Sequence, residues 1–343
     1  MTIIRLIAGF LLVGVAGYAG PKLALDVQEP WADVFGGKEE SVHVLVSARE
    51  VAQGRMGWYY VAGDKTIARQ EREISVAPGQ PETVEIRLPV PAVKAGVILN
   101  TKLSVSVSES GAGQAAATRE KTLWVFPDDA FADRREWLKK LDIRLFDPEK
   151  KTGECFEKAD IPFKRVAHVE ALSEVKEGLV VVGEGVSFND FKGLPGILFK
   201  AAQRGVLVLC LAPSGGRFNL PGTSESEMPV PRSMTFQRNE IIAKLDKRLD
   251  AVAWPPDGVI AGATLALRSA RGAVMGEVEK GGANWSWLEM SFNEQRGMFV
   301  LCQFSIIEKW EAGPAPRFLL ARILEYLTAS NHETHGTHEK DTN

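Results

Sequence analysis

Two uninterrupted apolar runs, LVVV at 179–182 and VLVLCLA at 206–212, flank the helix-patterned stretch LPGILFKAAQRG. A strand that is apolar on both faces must be covered by helices on both sides, which is the condition of a parallel, doubly wound sheet. The surrounding segments extend the alternation. Strand patterns occur in IRLFDP (143–148) and FKRVAH (163–168), with the helix pattern TGECFEKADI between them. A later helix carries Ile241, Ile242, Leu245 and Leu249 on one face, a strand-rich stretch runs from Val259 to Phe304, and a last helix is expected from about Pro316 to Tyr326. The expected α/β domain occupies 142–329.

The first part of the chain has the opposite pattern. In SVHVLV, TVEIRL and KLSVSVSES, apolar residues alternate with polar ones, as Val42, Val44 and Val46 do with Ser41 and His43. Each strand then has one dry face and one wet face. Turn signals such as Ala62-Gly63-Asp64 and Ala77-Pro78-Gly79 separate the runs at intervals typical of sandwiches. An immunoglobulin-like β-sandwich of about seven strands is expected over 21–127. Asp128 and Asp129 read as caps of a linker helix over 128–141. The expected fold class is therefore multidomain β and α/β, the second domain flavodoxin-like.

Residues 1–20 read as a signal peptide: Arg5, an apolar stretch from Leu6 to Ala16, then Gly17-Tyr18-Ala19 as a cleavage site. The apolar stretch is shorter than the roughly 20 residues that span a bilayer. An exported protein, periplasmic or extracellular, is expected, held at a membrane only if this segment stays uncleaved. Residues 330–343 read as a disordered tail; His332, His335 and His338 within it have a spacing that zinc or nickel can use, but a solvated tail is favoured and no metal or cofactor is expected. A net charge of −3 with no long run of one sign carries no bias toward polyanions, so nucleic acid is not an expected partner. Cys155, Cys210 and Cys302 are too few for a disulfide framework, with a Cys210–Cys302 bridge open if their strands are neighbours.

Ligands of doubly wound sheets bind beyond the carboxyl ends of the strands. Asp147, Glu184, Gly185, Cys210, Ser214 and Gly215 fall there and are the candidate ligand-binding residues. Glu184, a carboxylate between two glycines, suits a general acid or base if buried, with Asp147 as a second carboxyl for a glycosidase. Cys210 would need a base in contact. His168 precedes it on a strand three spacings away, about 14 Å, and the other later histidines lie in the tail. Trp285 and Trp287 in GANWSWLEM are candidates for stacking on sugar rings or a partner, as are Trp58, Tyr59 and Tyr60.

LVVVGEG, a helix, VLVLCLAPSGG and the terminal MFVLCQFSIIEKWEAGPAPRFLLARILEYL together resemble class I glutamine amidotransferase-like domains over Asp142 to Leu327. In that family a glycine-flanked cysteine in a tight turn attacks an amide. The resemblance would set the cysteine at Cys210, but Val208 and Ala212 stand where the glycines belong and no histidine matches. It is thus similar to the silent members found in secreted bacterial proteins and beside β-galactosidases. The function expected from the sequence is a non-enzymatic interaction or assembly protein without catalytic residues. The alternatives are a carbohydrate-binding or glycosidase-associated accessory protein, or a hydrolase using Glu184 and Asp147 or Cys210. A protein or a glycan is the expected partner, with a homo-oligomer open.

Overall fold

The computed structural model describes residues 22–111, 114–220, 231–249, 265–269, 274–279, 282–283, 285–292 and 297–329. The expected signal peptide and histidine-bearing tail lie outside the described residues. Among the described residues, no helix is long and apolar enough to cross a membrane.

Eight strands come first: β1 (Leu23–Val27), β2 (Asp33–Phe35), β3 (Glu39–Ala48), β4 (Ala52–Ala62), β5 (Lys65–Val76), β6 (Glu82–Pro89), β7 (Leu99–Glu109) and β8 (Ala117–Phe126). They form two sheets, ordered β1-β3-β6 and β2-β8-β7-β4-β5. The alternating residues meet between them: Val42, Val44, Val46, Val84, Ile86 and Leu88 of the smaller sheet share one core with Met56, Tyr60, Leu103, Val105 and Val107 of the larger. Buried Tyr60 directs its hydroxyl to Thr101 Oγ1 at 3.0 Å, satisfying the one polar atom that its ring carries inward.

The joint differs from the expected helix. Asp129 Oδ1 accepts the Phe131 amide at 2.8 Å and so caps a turn. The helix α1 (Arg135–Leu138) starts later and has no side-chain cap. Phe126, ending β8, packs on Phe318 with ring centroids 4.6 Å apart, so the last sandwich strand enters the core of the second part.

That part contains β9 (Ile143–Phe146), α2 (Lys151–Lys158), β10 (Lys164–Val166), β11 (Leu179–Val182), α3 (Leu194–Gln203), β12 (Leu207–Leu211), β13 (Gly216–Leu220), β14 (Ser233–Gln237) and α4 (Glu240–Leu245). It continues with β15 (Leu265–Ser269), β16 (Val274–Glu279), β17 (Gly282–Ala283), β18 (Trp287–Ser291), β19 (Met298–Cys302) and α5 (Pro314–Ala329). The main sheet has the order β10-β9-β11-β12-β19-β18-β14. Its first five strands are parallel, and β18 and β14 run antiparallel to their neighbours. A smaller sheet, β13-β15-β16-β17, branches off after β12.

Both faces of the main sheet are dry, as the apolar runs require. Val181, Leu209, Val300 and Cys302 face a core shared with Phe156 of α2, Ile242 of α4 and Leu320 of α5. Val182, Cys210 and Leu301 face the other core, with Leu198 and Phe199 of α3. The molecule is thus multidomain, β and α/β. It also closes the question of the disulfide: β12 and β19 are neighbours, but Leu211 pairs with Cys302 and Cys210 with Leu301. The two sulfurs therefore sit on opposite faces of the sheet, and both thiols are free.

Candidate functional site

The chain order of the parallel strands reverses direction between β9 and β11, since β10 lies to one side and β12 to the other. Such a reversal leaves a crevice beyond the strand ends, because the helices that follow the two strands depart to opposite faces. Here it is a cavity of about 450 Å³ lined by Glu184 and Gly185 after β11, Ala212 and Ser214 after β12, Lys151, Glu154 and Cys155 of α2, and Ile307 with Glu308.

Glu184 is its most buried charged group, 9% exposed. Its Oε2 accepts the Ile307 amide at 2.7 Å and its Oε1 the Glu308 amide at 2.8 Å. Its own amide donates to Thr152 Oγ1 at 2.9 Å, fixing the strand end against α2. Burial pushes the carboxyl up to about 7, and the amide donors pull in the other direction without overcoming it. Gly185, with φ +89°, then turns the chain and donates its amide to the Ala212 carbonyl at 3.0 Å.

Asp147 has a different task. It is 8% exposed, and its Oδ2 accepts the Gly153 amide at 2.7 Å in the first turn of α2. It does not line the cavity; its Oδ1, without a partner, is packed so closely that a Cβ on Gly183 would lie 2.7 Å from it. Burial also raises this carboxyl. The two acids expected to work as a pair are thus divided between cavity wall and helix cap.

Cys210 is fully buried inside β12, and burial pushes its thiol far above the ordinary range. The backbone reversal that an exposed nucleophile needs occurs two residues later, at Ala212, whose φ is +22°. A methyl group stands at that turn. Its amide donates to the Cys302 carbonyl at 2.6 Å, and the chain continues through exposed Ser214 into β13 rather than into a helix. Gly215 bridges to Ser187 beside the cavity. His168 follows β10, exposed and three strands from β12.

The tryptophans do not share a face, because β18 begins only at Trp287. Trp287 is fully buried against Tyr326 of α5, which removes it as a ligand contact. Trp285 is half-buried, packs on Phe236 at 5.6 Å and lies under the Arg238 guanidinium at 5.4 Å.

The sequence did not point to Lys151, Glu154, Ile307 or Glu308 as wall residues. Glu154 had only a helical pattern to mark it, and Ile307 and Glu308 reach the crevice from 123 and 124 residues beyond Glu184.

No protein-family model and no curated protein matches the chain. Among solved structures, Spo0M, a sporulation control protein from Bacillus subtilis, is 13% identical over 35% of this chain and 55% of its own, with a TM-score of 0.24. A C-terminal part of native alpha-2-macroglobulin from Escherichia coli is 11% identical over 32% of this chain and 17% of its own, TM-score 0.25. A beta-glucosidase from Listeria innocua, in complex with gluconolactone, is 12% identical over 31% of this chain and 16% of its own, TM-score 0.23. The chain spans about half the length of the first and about a sixth of each of the others.

Proposed function

We propose that this is an exported, non-enzymatic interaction or assembly protein, in which an immunoglobulin-like sandwich precedes a silent, amidotransferase-like α/β domain of flavodoxin-like order. The observation that carries this is the strand end of β12, where the turn holds the methyl of Ala212 and the nearest thiol in the chain, Cys210, is sealed in the core. A buried thiol with a raised pKa supplies almost no thiolate, and the thiolate is the nucleophile. The acid pair expected from the sequence does not form: Glu184 accepts two backbone amides at the cavity wall, whereas Asp147 lies off that wall and accepts the Gly153 amide of α2. Purified protein incubated with glutamine, nitrophenyl esters and nitrophenyl glycosides is expected to give no turnover. Activity that disappears in Cys210→Ala or Glu184→Ala would overturn the proposal.

A glycan-binding accessory role has one observation in its favour. Tyr59, 48% exposed, borders a groove on the larger sandwich sheet beside Gly57, Arg69 and Ser106. An open aromatic face with polar groups around it suits a sugar ring. Glycan binding lost in Tyr59→Ala with the fold intact would support this role, and silence across broad glycan classes would remove it.

A further inference from the structure

The crevice between β9 and β11 is a cavity open to solvent on one side, at the place where this sheet topology gathers ligands, and its wall is chemically biased. Among the described residues, Glu154, Glu184 and Glu308 face it, against a single cation, Lys151. Lys151 is already engaged, its Nζ lying 2.7 Å from Glu149 Oε2. Glu184 is nine-tenths buried yet lines the cavity. Its two oxygens accept the Ile307 and Glu308 amides, and a carboxylate has about four acceptor positions, so acceptor capacity is left over.

The carboxylates are too dispersed for a metal: among the described residues, no three Cys, His, Asp or Glu side chains are grouped so as to hold an ion. An organic cation has the size to span them. Ile307 supplies an apolar wall and Ser214 a hydroxyl at the rim, and among the described residues no aromatic ring lines the cavity to favour a quaternary ammonium. The volume is within the range of small-molecule sites, about 300 to 1,000 Å³.

We infer that this cavity binds a small organic molecule through a primary ammonium group, with Glu184 as the buried anchor and Glu154 and Glu308 as the outer charges. The inference rests on the non-catalytic reading above in one respect, that the bound amine leaves unchanged.

The test is calorimetric titration of the purified protein with n-butylamine, ethanolamine and glucosamine, and with their uncharged counterparts n-butanol, ethylene glycol and glucose. At least one amine is expected to bind while its counterpart does not. Glu154→Gln/Glu308→Gln, both exposed and outside the core, is expected to weaken that binding about tenfold, the effect of roughly 1.4 kcal/mol. Glu184→Gln, checked for folding by circular dichroism, is expected to weaken it further. No binding by any amine, equal binding by the counterparts, or an unchanged affinity in the double variant overturns the inference. Mass spectrometry of the recovered amine separates the two proposals: a converted amine overturns the non-catalytic reading and leaves the recognition standing.

Discussion

Glu184 and Ile307 are joined across the strand-end crevice, the carboxylate accepting the amide at 2.7 Å over a sequence separation of 123 residues. The bond ties the end of β11 to the segment that leads from β19 into α5. It is made by a carboxyl whose burial sets a pH dependence on the whole fold.

The folded chain holds the Glu184 proton up to about 7, against an ordinary value of 4.5, so it binds that proton more tightly than the unfolded chain. Stability from this group is full below the ordinary value and is lost as the pH rises towards 7, by about 3 kcal/mol in all. Urea unfolding of the wild type and of Glu184→Gln, compared from acid to neutral conditions, is expected to show the wild type losing its relative stability with rising pH. A wild type that gains on the variant over that window contradicts the assignment.

Asp147 is predicted to matter for stability. Asp147→Ala removes the acceptor of the Gly153 amide in the first turn of α2 and is expected to cost about 1 to 2 kcal/mol in chemical denaturation. Asp147→Asn keeps an acceptor and should cost less. Equal losses in the two variants would show that the cap is not what the residue contributes.

The two parts of the molecule are predicted to unfold together. Phe126 and Phe318 are both buried and in ring contact, and Arg134 Nε reaches Glu325 Oε1 of α5 at 2.5 Å beside them. Phe318→Ala is expected to cost about 3 to 5 kcal/mol and to split a single calorimetric transition into two. Two transitions in the wild type would mean that the joint does not couple the parts.

What the sequence disclosed follows from burial. Val42, Val44 and Val46 could be assigned to one face because one face only is dry, and LVVV and VLVLCL to central strands because both faces are. Relations between distant segments left no such trace. The opposite orientations of Cys210 and Cys302 depend on the register of β12 with β19, which no local pattern fixes. Asp147 accepts from a residue six positions on, beyond the spacing of a capping box, so its helix-capping role was hidden behind its place at a strand end. The start of β18 at Trp287 put the two tryptophans into different surroundings, although their spacing suggested a shared face. For the crevice itself, the strand-end residues were readable and the wall supplied by Ile307 and Glu308 was not.

The most direct measurement of the central claim is native-state alkylation of the three thiols at neutral pH, read by mass spectrometry. Cys210 and Cys302, fully buried, are expected to stay unmodified until the protein is unfolded, whereas half-buried Cys155 on the cavity wall is modified slowly. Rapid alkylation of Cys210 in the folded protein would mean an accessible thiolate at the end of β12, and would contradict the account.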